Sequence, residues 1–488
     1  MTRLEDCPPE VVESIVEELE WADISSLRLT SRNLRFKATQ HHVKSYFRTR
    51  RVQLIGQGLR KLEKVTRQGW LGCELRNLTL VGVVNNPMGY EKLLKGSALR
   101  HDPEKRKRVE QELETMKTRQ QDHQQLVESG ELARLLSLIF SNIAANGPLG
   151  KLQSLSLGMT VYREHLDREE STLFGGNWRL IWQAAAEMFR VIFAGIEGSA
   201  IQLDHLGIFN GENLQRCSLA ANELSKMDYT SGGLSKTFST LKSLSISVSD
   251  RIIDTSQITA ASTGDQADEV TWSDTAIERD MGRAMAEARE EDNFSGLVKL
   301  IQSCHQLRKL HIHHYLVNYR RIAQINYPHE RLLQRIADVQ NLPPLEELIL
   351  RGVYFREMDL VSILRRLPLR KLWLEFTHLI SGSYTSIFDY CTGESSSVDS
   401  VYFDELRQED NLVHFTGVGE PRFRTWKGAH GGNTLQREGE ELKQPILYHL
   451  PSGQLYPCPS QERQQWMIAE RREFGPPTVE RYNLRRLS

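Results

Sequence analysis

Apolar and polar positions near the start of the chain recur with the period of an α-helix. The apolar positions of the first predicted helix fall at i, i+3, i+4 and i+7 and so share one stripe: Val12, Ile15, Val16 and Leu19. Pro8 and Pro9 favour a helix start immediately before this stripe. Asp23 and Ser31 are candidate N-caps for two further short helices. The pattern therefore predicts a module of three small helices within residues 1–45.

The same segment carries more apolar residues than a piece of its length can bury alone. Chains below roughly 40 residues rarely bury enough surface without a metal, disulfides or a partner. We therefore expect another surface to cover part of this module.

A six-residue phrase, LxxLx(L/I), recurs along most of the remaining chain. Its copies begin at Leu75, Leu152, Leu203, Leu241, Leu307, Leu345 and Leu369, and VDSVYF from Val398 is a degenerate copy. In a leucine-rich repeat such a phrase forms a short strand whose alternate apolar side chains point into the core. Helix-like stretches separate the copies. The predicted fold class is therefore α/β, with an irregular leucine-rich-repeat-like solenoid of strand-helix units over residues 46–404.

The spacing of the phrases is irregular, which predicts insertions rather than an ideal horseshoe. The segment at about 101–128 is highly charged with a thin apolar stripe, and we expect a solvated helix there. The segment at about 254–276 is rich in small and polar residues, which favours a flexible loop. The leucine pattern stops after residue 404. Residues 405–488 are predicted to form an irregular C-terminal extension with a hairpin at 446–456 and a terminal helix at 460–472.

Composition narrows the class of partner and compartment. Lys and Arg number 62 and Asp and Glu 63, so no overall positive field favours nucleic acid or anionic lipid. The basic and aromatic stretch from His41 to Leu54 is instead interpreted as a strand or linker that joins the helices to the repeats. No CxxC pair, signal-like start or apolar run of about 18 residues is present. We expect a cytoplasmic or nuclear protein that binds neither nucleic acid nor membrane.

No pattern in the sequence indicates catalysis. The chain contains no GxSxG, Walker, HExxH or strand-linked GxGxxG motif, so the protein is not expected to be an enzyme. His311, His313 and His314 could suggest a metal, but no acidic or thiol ligand lies near them in sequence. We predict no metal and no cofactor, and a surface role for these histidines.

The first segment, LEDCPPEVVESIVEELEWADISSLRLTSRNLR, resembles an F-box of the fungal type. The shared skeleton is L-P-x-E, an apolar helix, D-(L/I) and an L-R-L-x-S-(R/K) run, with Cys7 where a leucine usually stands. This resemblance covers about a tenth of the chain. It implies that the helices bind the Skp adaptor of an SCF ubiquitin ligase, and through it the cullin and RING subunits. The residues implied for the adaptor interface or the packing beneath it are Pro8, Val12, Ile15, Leu19, Ile24, Leu27, Arg28 and Leu34.

The resemblance further implies that the repeats hold a protein substrate. Leu310 and Ile312 point inward, so strand alternation predicts an outward face shared by neighbouring strands. The candidate substrate-binding residues on this face are His311, His313, Ile349, Arg351, Trp373, Glu375 and Tyr402. Trp373 and Tyr402 could alternatively be covered by the C-terminal tail. A second hypothesis is a repeat scaffold outside ubiquitin ligation, whose N-terminal helices only cap the stack.

Overall fold

The computed structural model describes residues 3–85, 87–96, 102–162, 169–170, 178–210, 217–253, 274–315, 327–409, 411–416 and 432–451. The helices are α1 Pro9–Glu17, α2 Trp21–Thr30, α3 Arg32–Lys37, α4 His41–Arg48, α5 Gly56–Arg67, α6 Met88–Lys95, α7 Pro103–Glu128, α8 Glu131–Asn146, α9 Trp178–Ser199, α10 Asn222–Ser225, α11 Gly232–Ser239, α12 Asp274–Arg289, α13 Asp292–Ser303, α14 Arg331–Ala337, α15 Glu357–Arg366 and α16 Thr385–Thr392. Short 3-10 helices span Leu4–Asp6, Trp70–Cys73 and Gly439–Lys443.

The strands are β1 Thr49–Gln53, β2 Asn77–Asn85, β3 Lys151–Tyr162, β4 Glu169–Glu170, β5 Gln202–Ile208, β6 Leu219–Ala220, β7 Ser243–Ser249, β8 Lys309–Tyr315, β9 Glu347–Arg351, β10 Tyr354–Arg356, β11 Lys371–Glu375, β12 His378–Ser381, β13 Ser400–Asp404, β14 Arg407–Gln408, β15 Asn411–Leu412, β16 His414–Thr416, β17 Thr434–Glu438 and β18 Leu447–His449. The predicted α/β class is confirmed, since one large and mostly parallel sheet combines with many helices.

Residues 4–48 form a helical module with a core of its own. The fully buried side chains of this core come from three of the four helices and the turn after α3: Val12, Val16, Ile24, Ala38 and Val43. Ser31 is the N-cap of α3 as predicted, since its Oγ accepts a hydrogen bond from Leu34 N at 3.1 Å. The prediction for Asp23 was wrong, because α2 begins at Trp21 and Asp23 lies in its first turn. The module also has a fourth helix, α4, where a strand or linker was predicted; the strand begins only at Thr49.

The main sheet keeps the strands in chain order. Its path is β1, β2, β3, β5, β7, β8, β9, β11, β13 and β17, and only β17 pairs antiparallel within this path. The fourth residue of every phrase is in register with its neighbours across the sheet: Leu78, Leu155, Leu206, Leu244, Leu310, Leu348, Leu372 and Val401. All eight side chains are buried. The repeated phrase therefore supplies a continuous buried row that crosses the sheet. Burial of each leucine in this row contributes roughly 1.5–3 kcal/mol to the free energy of folding.

The first predicted insertion is a helix, α7, as expected. Its apolar stripe is buried rather than solvated, because Val109 and Met116 pack with Tyr90 in a small cluster separate from the main core. Only residues 274–276 of the second predicted insertion lie within the described residues, and they open α12.

The C-terminal extension contributes more regular structure than expected. β17 pairs antiparallel with β13 and ends the main sheet, while β14 and β15 extend a smaller four-stranded sheet with β10 and β12. Of the predicted hairpin, β18 is described, and it pairs antiparallel with β16. Its second arm and the predicted terminal helix lie outside the described residues.

Candidate interaction surfaces

The helical module exposes an unusual share of large apolar side chains. Of the thirteen such side chains that are exposed in the described part of the chain, six lie between residues 11 and 46: Val11, Ile15, Trp21, Leu29, Phe36 and Tyr46. Leu29 is 87 % exposed and Phe36 67 %. Scattered exposed apolar residues are normal, but such a concentration is typical of an interaction surface.

Local geometry explains why these side chains lie outside the module's core. Val11 and Ile15 are four residues apart on α1, so they share a face beside the buried stripe of Val12 and Val16. The Trp21 and Tyr46 rings are 4.8 Å apart between centroids, which joins the start of α2 to the end of α4. The module therefore divides its apolar residues between an internal core and its surface.

The residues implied for the adaptor interface divide in the same way. Val12, Ile24 and Leu34 are buried within the module. The half-buried positions are Leu19, Leu27 and Arg28, and the exposed positions are Pro8 and Ile15. Val12, Ile24 and Leu34 can therefore act only as packing beneath an interface.

Arg28 is the charged residue of this set. Its Nε donates to Thr39 Oγ1 at 3.0 Å, which fixes the guanidinium between α2 and the end of α3. Partial burial, together with the nearby charge of Arg35, lowers the pKa of Arg28, but arginine stays protonated in proteins. Arg28 therefore places a permanent positive charge on this side of the module.

Leu29 and Phe36 are absent from the sequence-based set although they are the most exposed apolar residues of the module. Neither residue falls on the stripe that helical periodicity selects for the core. The sequence signal for Leu29 and Phe36 is that both residues are large and apolar although they lie off the predicted core stripe.

The second candidate surface is the sheet face opposite the leucine rows. His311, Ile349, Trp373 and Tyr402 are paired in register on β8, β9, β11 and β13, and the same pairing aligns His313, Arg351 and Glu375. The structure thus places all seven predicted substrate-binding residues in two adjacent rows. The rings of Trp373 and Tyr402 are 4.4 Å apart between centroids.

Most of this face is less accessible than strand alternation suggested. His313, Arg351, Glu375 and Tyr402 are each at most 7 % exposed, whereas the remaining three residues are half-buried. The predicted surface role was wrong for His313 and for its neighbour His314, because both are buried. Part of the C-terminal tail lies beside Tyr402, since β17 pairs with β13 and places Gln436 opposite Tyr402. Residues 410, 417–431 and 452–488 of the tail lie outside the described residues.

Hydrogen bonds and one ion pair organise the buried row. Ser247 Oγ lies 2.9 Å from His313 Nδ1, and Arg351 donates to Glu375 Oε2 at 2.6 Å. Trp373 Nε1 donates to the same carboxylate oxygen at 3.2 Å. These contacts hold the side chains of the buried row in fixed positions beneath the half-buried Trp373.

Burial also sets the charge of the two histidines. Desolvation, reinforced by the charge of Arg351, lowers the pKa of His311 to about 3 and lowers the pKa of His313 well below its ordinary value. Both imidazoles are therefore neutral near pH 7. Of the two, only the half-buried His311 is accessible on this face, as a hydrogen-bonding group rather than as a cation.

The fold defines an α/β protein in which a helical module precedes a sheet of chain-ordered parallel strands. No protein-family model and no curated protein matches the chain. Among the described helices, none has the length and apolarity that crossing a membrane would require.

Proposed function

We propose that the chain is a non-catalytic substrate-recognition subunit of an SCF-type ubiquitin ligase. The helical module would bind the Skp adaptor, and the parallel strands would hold a protein substrate. The observation that carries this proposal is the set of six exposed apolar side chains on a module that already has its own core. Their exposure is the feature that a docking partner would relieve.

The energy available at such an interface is substantial. Burial of one large apolar side chain contributes roughly 1.5–3 kcal/mol, and Leu29 and Phe36 retain most of their surface for a partner. Interfaces usually depend on a few such anchors, with aromatic side chains enriched among them. Phe36, Trp21 and Tyr46 supply three aromatic candidates.

The alternative is a scaffold in which the helices only cap the repeat stack. A cap would turn its apolar residues towards the sheet, whereas the module buries five residues in a separate core and exposes six others. The module joins the sheet through α4, where Arg48 O accepts from Arg76 N at 2.8 Å and Lys44 pairs with Glu74 at 3.4 Å. This arrangement favours docking over capping.

In this proposal the chain contributes proximity rather than chemistry. His311, Ile349 and Trp373 keep part of their surface accessible and would make the first contacts with a substrate. Ubiquitin transfer would take place on the partner complex, with the substrate held in position by this chain.

Binding to purified Skp adaptor tests the proposal. Leu29→Glu and Phe36→Glu place a charge on the proposed interface at exposed positions, so the module should still fold. We expect the wild type to bind and each variant to bind at least about tenfold weaker, since an interfacial anchor is replaced by a group that must be desolvated.

Met358→Glu is the matched control, because Met358 is 68 % exposed on α15 and lies outside the module. Its affinity should equal that of the wild type, and circular dichroism should show all variants folded. Absence of wild-type binding, or equal binding by all variants, would refute the proposal and leave the scaffold hypothesis.

A further inference from the structure

Three side chains from distant parts of the sequence converge at the carboxyl ends of two neighbouring strands. Asp250 directly follows β7, His314 lies in β8, and His329 precedes α14. The parallel register pairs Val248 with His314, so Asp250 lies at the same edge of the sheet. Their potential ligand atoms all lie within 4.8 Å of one another. We propose that Asp250, His314 and His329 bind a divalent transition-metal ion.

The distances favour ligands that share a cation over simple ion pairs. Asp250 Oδ1 is 3.2 Å from His314 Nε2 and 3.5 Å from His329 Nδ1. Charge-assisted N–H to carboxylate hydrogen bonds are shorter, at about 2.7–2.9 Å. Zinc holds nitrogen and oxygen ligands at about 2.0–2.2 Å, so two ligands of a tetrahedral site lie about 3.3 Å apart. Both observed separations are close to that value.

The hydrogen bonding of these atoms is consistent with this assignment. Asp250 Oδ1, His329 Nδ1 and His314 Nδ1 have no hydrogen-bond partner among the described residues, and the first two are atoms of the cluster itself. Arg251 is the nearest cation in sequence, but its guanidinium is paired with Asp292 at 2.7 Å and with Glu290. Asp250 Oδ1 and His329 Nδ1 are therefore available to an ion.

Burial and packing give the site rigid walls and one open side. Asp250 and His314 are 3 % exposed, whereas the His329 side chain is 25 % exposed. The His329 ring packs against Tyr327 and Tyr354, at centroid distances of 4.9 and 5.1 Å. An ion would enter past His329, and water would complete its coordination on that side.

The donor set defines the class of ion. Two imidazoles and one carboxylate suit Zn²⁺ or Fe²⁺, whereas Ca²⁺ and Mg²⁺ prefer oxygen ligands alone. Sequence patterns do not indicate this site, because the carboxylate is 64 residues before His314. This inference stands independently of the proposed ligase role.

Metal titration of the full-length protein tests the site. Protein treated with a chelator and dialysed is titrated with Zn²⁺ by isothermal calorimetry, and Co²⁺ serves as a spectroscopic probe of coordination. We expect one saturable equivalent at the cluster, visible Co²⁺ bands, and a rise in thermal midpoint with Zn²⁺. Asp250→Asn and His329→Gln should each weaken binding at least tenfold and abolish the thermal shift.

His305→Gln is the control, because it removes an exposed imidazole outside the cluster; its affinity should be unchanged. If Asp250→Asn does not fold, the His329→Gln variant, at a partly exposed position, and the wild-type Co²⁺ spectrum still test whether the cluster binds a metal ion. Absence of saturable binding by the wild type, or full affinity in His329→Gln, would overturn the proposal.

Discussion

Among single residues, Gly352 carries the clearest local constraint. It follows β9 with φ of +67°, a conformation that favours glycine. A Cβ at this position would lie 2.4 Å from His314 O, and its own N–H donates to Glu375 O at 2.9 Å. The position therefore needs both the left-handed backbone and the missing side chain, because β8 and β9 approach closely here.

A matched pair of glycine substitutions separates these two requirements. Gly130 has φ of +71°, but a Cβ added there would meet no atom within 4 Å, so Gly130→Ala should cost only the conformational strain of about 1–2 kcal/mol. Gly352→Ala should lower the free energy of unfolding by about 2 kcal/mol more, because the strand end must also move. Urea denaturation measures both. Equal losses would show that the close contact at Gly352 is unimportant.

Among the helices, α7 packs against different elements along its length, α6 at its middle and α9 near its end. Its start is capped, since Asp102 Oδ1 accepts from Lys105 N at 2.9 Å, and its middle packs on α6 through Val109 and Met116. Its end approaches α9, where His123 Nε2 lies 3.0 Å from Glu187 Oε1. The first half is therefore anchored by a small cluster, and we expect it to open before the rest of the molecule.

Introducing glutamate at adjacent positions tests this view of α7. Met116→Glu places a carboxylate in the buried cluster, so the first half of the helix should detach and its basic residues should become sensitive to trypsin. Thr115→Glu adds the same group on the exposed side and should leave the cleavage rate at the wild-type level. Limited proteolysis with mass spectrometry gives the rates. Loss of global folding in Met116→Glu would instead mean that α7 unfolds with the main core.

Across the molecule as a whole, the helical module and the main sheet of the described residues have separate cores. The five buried residues of the module form one cluster, and the leucine rows with their covering helices form a much larger one. β1 lies at the edge of the main sheet and carries exposed Arg50 and Arg51. Charged residues protect an edge strand from pairing with other chains, so the sheet does not rely on the module for that protection.

Removal of residues 1–48 tests whether the module is independent of the sheet. We expect the remaining chain to stay free of aggregation, to unfold cooperatively and to keep its thermal midpoint within about 4 °C, since the contacts that join the described module to the sheet lie at α4. Circular dichroism and size-exclusion chromatography measure these properties. Aggregation or a broad transition would support the hypothesis that the helices cap the stack.

Several features followed from local rules. Ser31 caps α3 because a hydroxyl before a helix satisfies a free N–H, and Val12 and Val16 are buried because helical spacing puts them on one face. Asp23 was misplaced because Glu20 begins the helix earlier, and cap positions shift easily between neighbouring polar residues. The locations of the leucine strands were predictable because a repeated apolar phrase must bury itself in every copy.

Local patterning was enough to establish the α/β class, the repeated strands and an N-terminal module with surplus apolar surface, since each of these depends on neighbours along the chain. Three-dimensional packing was needed to establish which apolar residues stay exposed, such as Leu29 and Phe36, and that His313 and Arg351 are buried. Packing also brought Asp250, His314 and His329 together. These outcomes depend on strand register and on contacts between distant segments, which no local periodicity encodes.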